Sequence, residues 1–463
     1  MNKSPNKALT IIIPTRNRPK FLERLLTYYA LEKLEYLLIV ADSSNADFLD
    51  QDKKICARFK NQLQIVLHAF SPDIPFVEKI VTVLSSIRTP YTVIVADDDF
   101  TIPAAMAESV DFLHTHRDYS VAHGSSYNFG VKSENSHSQI DKLEPYSQRE
   151  ILEATAIERL INHLSDYSTT FYSIHRTEQI RQNFNVMASL SLDANFSELL
   201  PSCLSIIQGK IKKLDCLYML RQGWIPKSEK SYTAPDFFDW VVDENWSVQY
   251  SQFIHILASA LTEVEEIAEN DTAERVKQAM SVYLTYYLLF GVPNQELMDK
   301  QKSAEKPLKR KLIHVIERLL IPQADVFYDD LVPSTCPLTS RLFAFIQIRR
   351  LCFPSRRRAS NLLDWMADPR WARLYKTFHD QQVRAILHRS PDEGLKVHIN
   401  MKYVFWVYLA ACLSRQTPVS VNPGNHTPSP QITRADLPGL FPDDIQHLRN
   451  IFSVIEDDNA LRK

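Results

Sequence analysis

The chain has 463 residues, enough for about two or three domains, and its 45% hydrophobic and 23% charged content excludes disorder over most of its length. Its 53 Lys and Arg nearly balance 55 Asp and Glu, a formal net charge of -2 that excludes a chain-wide nucleic-acid binder. Only 8 glycines are present, and neither GxGxxG nor GxxxxGK[ST] occurs, so glycine-rich dinucleotide and Walker-type phosphate loops are excluded too.

In chain order, the polar stretch Met1 to Ala8 has no apolar core of a signal peptide. Leu9 to Ile13 is a β-branched run stopped by Pro14, and Phe21 to Leu31 follows as an amphipathic helix. Tyr36 to Val40 predicts a second strand, ending in the turn cluster Asp42 to Asn45. Leu63 to His68 predicts a third, and Glu78 to Ile87 a helix stopped by Thr89-Pro90. Tyr91 to Ala96 is a fourth strand that runs into Asp97-Asp98-Asp99. Short buried-type strands separated by helices predict an α/β fold with a mostly parallel, Rossmann-like sheet. Ligands of such sheets bind at the carboxyl ends of the strands, where Thr15 to Arg18, Asp42 to Asn45 and Asp97 to Asp99 fall.

Beyond about Pro235 helical periodicity takes over, in Trp246 to Ala268, Thr272 to Phe290, Leu308 to Leu320, Ser340 to Cys352, Ala359 to Leu387 and Val397 to Ser414. Thr417 to Pro442 carries six prolines and predicts an irregular connector, followed by a closing helix over Asp443 to Ile455. The expected division is a catalytic domain over 1–235 and an all-helical domain over 236–463. Six scattered cysteines without a CxxC pair exclude a zinc ribbon and predict a reducing compartment. The longest apolar stretch, Tyr403 to Leu413, is about half of the ~20 residues a spanning helix needs. A cytoplasmic location is therefore expected.

Three consecutive carboxylates after a buried strand repel one another, so a cation should compensate them. Mn²⁺ or Mg²⁺ held together with a diphosphate would do so, because these ions favour carboxylate and phosphate oxygens. The alternative is a solvated acidic turn ahead of the helix starting near Pro103. His114, His116, His123 and His137 have neither a cysteine partner nor ligand spacing and read as surface or core histidines.

Taken together, Leu9-Thr10-Ile11-Ile12-Ile13-Pro14-Thr15-Arg16-Asn17-Arg18, Leu38-Ile39-Val40-Ala41-Asp42-Ser43-Ser44 and Thr89-Pro90-Tyr91 with the Asp97-Asp98-Asp99-Phe100 stretch resemble a GT-A glycosyltransferase of the family 2 type. The subgroup is the one found in surface-polysaccharide loci, and the resemblance covers roughly residues 8 to 235. It implies that Pro14, Thr15 and Arg16 line the nucleotide base and that Asp42 accepts from base or ribose. It implies further that Asp97 holds the ribose or metal shell within a donor site that includes Asp98, that Asp99 ligates the metal directly and that Lys79 contacts the donor. Glu198, in Asn195-Phe196-Ser197-Glu198-Leu199-Leu200, lands on the family's general-base position, with Ser197 where the family has a first acid and Asp193 as the neighbouring competitor. Arg221 matches a late basic position that would stabilise the leaving diphosphate. Tyr167 to Thr169 and Arg176 border the expected acceptor side and read first as structural.

The resemblance thus implies an inverting, metal-dependent transfer from a nucleotide-sugar donor, a UDP-sugar foremost, to a glycan or lipid-linked acceptor hydroxyl. Between Lys302 and Arg358 the sequence carries 12 positive and 5 negative residues interleaved with apolar ones, a pattern that fits an anionic membrane surface or, equally, a helical core with solvated cations. The second reading of the whole chain is a non-catalytic GT-A-like scaffold or membrane-docking protein; no nucleic-acid partner is expected.

Overall fold

The computed structural model describes residues 8–134, 137–223, 240, 243, 245–265, 269–290 and 435–456. Eight strands of one nine-stranded sheet run in the order β3-β2-β1-β4-β8-β6-β9-β5, and β7 extends from β6. The first half is a doubly wound α/β unit. It comprises β1 (Leu9–Thr15), α1 (Pro19–Leu31), β2 (Leu37–Asp42), α2 (Ala46–Phe59), β3 (Gln64–Ala69), α3 (Phe76–Ser86) and β4 (Tyr91–Ile94). All pairings among β3, β2, β1 and β4 are parallel. The expected α/β class therefore holds, and the parallel portion is this quartet. α1 starts on Pro19, whose missing N–H is harmless there, and Leu22, Leu25, Leu26 and Tyr29 bury one stripe of it.

The second half is woven differently. β5 (Phe100–Thr101), α4 (Pro103–Thr115), β6 (Tyr119–Glu134), β7 (His137–Tyr146), α5 (Ala156–Ser165) and β8 (Ile174–Arg176) lead to α6 (Thr177–Ala188), α7 (Ala194–Gln208) and β9 (Lys210–Gln222). β8 runs antiparallel to both β4 and β6, β5 is antiparallel to β9, and β6 is parallel to β9 but antiparallel to β7. Two glycines allow β6 and β9 to come together. A Cβ on Gly124 would lie 2.6 Å from the Cys216 carbonyl oxygen, and one on Gly209 would lie 2.7 Å from the Ser120 nitrogen.

Beyond Trp240 the described elements are helical: α8 (Trp246–Glu265), α9 (Glu269–Phe290), the short α10 (Leu437–Leu440), a 3₁₀ turn at Pro442–Asp444 and α11 (Ile445–Glu456). They bury their apolar faces in the two cores that flank the sheet. α8 and α9 join α3, α5, α6 and α7 on one side, where Phe196 packs against Trp240 and Phe253 at ring separations of 4.8 and 5.3 Å. α11 joins α1 and β7 on the other, through Leu448, Ile451, Phe452 and Ile455. Glu32 on α1 accepts from Asn450 at 2.8 Å and pairs with His447 at 2.5 Å. No described helix is long and apolar enough to cross a membrane. The basic stretch 302–358, and the helices expected between Leu308 and Ser414, lie outside the described residues.

Candidate functional site

The carboxyl ends of β1, β2 and β4 meet in one buried polar cluster. Asp97, Asp98 and Asp99 follow β4, and Asp97 and Asp99 are each only 2% exposed. Thr15, ending β1, donates its hydroxyl to Asp97 Oδ2 at 2.7 Å. Arg18 reaches Asp97 Oδ1 at 2.9 Å and Asp98 Oδ2 at 2.5 Å. From α1, Arg24 donates to the Asp98 carbonyl at 3.1 Å and to Gln222 Oε1 at 2.6 Å, stacked against Phe21 and Phe100. Asp99 Oδ1 accepts the Gln222 amide at 2.9 Å, and its Oδ2 lies 3.8 Å from Arg221 Nε. Burial together with the Asp98 charge pushes Asp97 up to about 7, against the pull of Arg18 and Thr15, and raises Asp99 well above the usual carboxylate range.

Lys79 is a buried lysine on α3, 4% exposed. Its Nζ donates to Ser43 Oγ at 2.9 Å and to the Thr15 carbonyl at 3.3 Å, tying the ends of β1 and β2 together. Burial lowers its pKa to about 8 despite the opposing pull of Asp42 and Asp97. Asp42 is fully buried, accepts from the Ser44 amide at 2.8 Å, and faces Asp52 of α2, a residue that sequence reasoning passed over. Burial, and then the Asp42 carboxylate, push Asp52 up to about 8. Between these strand ends Asn17 adopts a left-handed φ of 57°, a conformation asparagine tolerates better than most residues. Its amide donates to Ser44 Oγ at 2.7 Å, and its side-chain oxygen accepts the Asn45 amide at 2.8 Å. Pro14 is half-buried in register with Ala41, and Arg16 is exposed at the rim.

Across the cluster stands the end of β9. Arg221 lies between the Tyr146 and Tyr172 rings, at 4.9 and 5.0 Å from their centroids. Its charge acts on both Asp99 and Glu198, which links the acidic triplet to α7. Glu198 sits in the first turns of α7, exposed on the helix surface, and accepts from the Tyr167 hydroxyl at 3.3 Å. Its surroundings push its carboxyl upward by desolvation, with Arg221 and Tyr167 holding it back. Pro201 within α7 has no N–H to donate toward Ser197, so the turn carrying Glu198 lacks one helical bond. Asp193 is the N-cap of α7: its Oδ1 accepts the Phe196 amide at 3.0 Å and its Oδ2 accepts Trp240 Nε1 at 2.8 Å. Both of its oxygens are thereby committed, which leaves Glu198 as the carboxylate facing the cluster.

The remaining sequence candidates have structural roles. Arg176 donates to the carbonyls of Tyr119, Leu113 and His116, each at 2.9 Å. His116 stacks on Phe112 at 4.1 Å, and His123 is buried, with desolvation lowering its pKa to about 4. Among the described residues no three His, Cys, Asp or Glu side chains converge as a metal cage. The oxygen donors of Asp97 and Asp99 are still of the type Mn²⁺ or Mg²⁺ takes, and Asp99 Oδ2 lies 3.8 Å from Arg221 Nε. Two carboxylates leave the other coordination positions to water and phosphate, which suits a metal that arrives with a diphosphate.

No protein-family model matches the chain, and no curated protein matches it. Among solved structures the chain is similar to S. aureus TarS, with 14% identity, 74% of this chain and 52% of that chain covered and a TM-score of 0.40. It thus spans about half of that protein's length. It is also similar to S. aureus TarS 1–349 in complex with UDP-GlcNAc (15% identity, 80% and 91% covered, TM-score 0.41). A third similar structure is the mannosyltransferase PcManGT from Pyrobaculum calidifontis in complex with GDP-Man and Mn²⁺ (10% identity, 68% and 81% covered, TM-score 0.35).

Proposed function

We propose that the chain is a GT-A glycosyltransferase of the family 2 type that moves a sugar from a nucleotide-sugar donor, a UDP-sugar foremost, to a glycan or lipid-linked acceptor hydroxyl. The observation that carries the reading is the continuous polar path from the strand ends through Asp99 and Arg221 to Glu198, with the acidic triplet at one end and a carboxylate of raised pKa at the other. The loops after β1 and β2, with Thr15, Arg16, Lys79 and Asp42, shape the nucleotide side. A Mn²⁺ or Mg²⁺ would be held by Asp99 and Asp97, where it supplies positive charge to a diphosphate. Arg221, fixed between two tyrosines, is placed to neutralise the diphosphate as it leaves. Glu198 takes the proton from the acceptor hydroxyl as that oxygen attacks the anomeric carbon, and Tyr167 orients it. A single displacement of this kind inverts the anomeric configuration.

The reading is tested by thermal unfolding with UDP, GDP, CMP and dTDP, each with and without Mn²⁺. A ligand of the folded state at a hundredfold excess over its Kd stabilises by about 2.7 kcal/mol. One nucleotide with a metal-dependent shift supports the donor reading and selects the sugars to try in transfer assays. No shift with any of them favours the second reading, a non-catalytic scaffold, for which the arginine-occupied Asp97 and Asp98 speak. A role at the inner membrane surface, proposed for 302–358, predicts flotation with anionic vesicles at low salt; a chain that never floats does not have it.

A further inference from the structure

Arg18 occupies the place where the sequence calls for a metal ion. It caps the start of α1, three residues past Thr15, and its terminal nitrogens bridge Asp97 Oδ1 at 2.9 Å and Asp98 Oδ2 at 2.5 Å. The Phe21 ring lies 4.3 Å from the guanidinium carbon and backs it, so the fork is held facing the carboxylates. With Thr15 on Oδ2 and Arg18 on Oδ1, both oxygens of Asp97 are engaged. Asp99 is different, because the cation nearest its Oδ2 among the described residues is Arg221, at 3.8 Å. A divalent cation shared by Asp97 and Asp99 would need an oxygen that Arg18 or Thr15 now holds. It would also enter a site that already contains a permanent positive charge.

We propose that Arg18 is a built-in cation that competes with divalent metal for the acidic triplet. Without metal it pairs with Asp97 and Asp98 and offsets part of their charge, which helps three adjacent buried carboxylates remain compatible with the fold. Metal alone therefore binds weakly, since it must displace a bidentate ion pair. A metal that arrives with a nucleoside diphosphate brings negative charge with it, and the freed guanidinium then has phosphate oxygens to pair with. This inference rests on the donor-site reading above and assigns to it a regulatory element: coupled rather than independent binding of metal and nucleotide.

The test is direct titration of the full chain with Mn²⁺ alone, following free Mn²⁺ by electron paramagnetic resonance, for wild type, Arg18→Gln and Arg18→Lys. Arg18→Gln should bind Mn²⁺ about tenfold more tightly, the scale expected when a like charge within a few ångströms is removed. Its metal-free melting temperature should fall by several degrees, and saturating Mn²⁺ should restore more stability to it than to wild type. Arg18→Lys keeps the charge without the fork and should fall between the two, and it carries the test if the glutamine variant does not fold. Mn²⁺ affinity that is unchanged or weaker in the variants overturns the competition. A nucleoside diphosphate titration of the same samples separates the two ideas. Nucleotide binding with unchanged Mn²⁺ affinities sinks the competition and leaves the donor site standing, whereas no binding of either ligand by any variant sinks both.

Discussion

The two halves of the sheet handle buried charge in opposite ways. On the side of β1, β2 and β4 the charges are deep and cross-linked: Arg18 on two aspartates, Lys79 on two strand ends, Asp42 against Asp52. On the side of β6, β9 and α7 they are few and bordered by aromatic rings, with Arg221 between Tyr146 and Tyr172 and Glu198 touched by Tyr167. The first arrangement suits a ligand that is itself highly charged, because desolvated ions are tolerated only when paired. The second suits a neutral hydroxyl from which one proton is to be removed.

The largest effect should come from Asp99→Asn. Release of nucleoside diphosphate from a stabilising nucleotide-sugar should fall by roughly a thousandfold or more, because this side chain would hold the charge on which the leaving group depends. The metal-dependent thermal shift should disappear with it. Glu198→Gln should lower transfer by roughly 10² to 10⁴ and leave the nucleotide-induced shift intact. If the glutamine variant lost nucleotide binding, or transferred normally, the division between a charged half and a proton-accepting half would break.

Smaller effects sharpen the same contrast through the scaffold. Gly124→Ala drives a methyl group into the Cys216 carbonyl, 2.6 Å from the new carbon. It should cost about 1–3 kcal/mol in chemical denaturation, since the obstacle is backbone and cannot rotate away. Asp52→Asn should act through pH. Burial and Asp42 hold the Asp52 carboxyl up to about 8, so the folded chain keeps a proton that the unfolded chain releases near pH 4. The stabilising contribution is complete below pH 4 and is lost as pH rises toward 8. The asparagine variant carries no such loss and should gain on wild type as pH rises from 5 toward 8, by about 1.4 kcal/mol per pH unit at most. A gap that stays constant with pH would show that the Asp52 carboxyl is not raised in the folded chain.

The parallel half was legible because each buried run stops abruptly at polar residues, as Ile13 does before Pro14-Thr15 and Ala96 before the aspartates. Strand ends that are neighbours in such a sheet must bring those residues together. What surrounds them was not legible. Arg18 and Asn17 are visible in the motif, but the left-handed turn at Asn17, which ties this loop to Ser44 and Asn45, has no periodicity to announce it. Asp52 lies within an ordinary polar stretch of α2, and only the packing of that helix against α1 and β3 turns it inward. In the other half Tyr146, Tyr172 and Arg221 come from three segments brought together by the long β6–β7 hairpin, the antiparallel β6–β8 pairing and the parallel β6–β9 pairing, contacts that no local pattern encodes. Asp193 shows the reverse case. As an acid near the expected base it competes on paper, yet Trp240 and the helix amides claim both of its oxygens.

The helix that covers α1 belongs to a distant part of the chain: the His447–Glu32 contact joins residues 415 positions apart. At ordinary rates of synthesis, roughly 20–80 s separate the emergence of α1 from that of its cover. Through that interval Tyr28, buried in the finished protein, would still await the Leu448 and Phe452 side of its core. The parallel half is thus made well before the helix that seals it. A translating ribosome would be expected to hold it half-open, a natural client for holdase chaperones until α11 arrives.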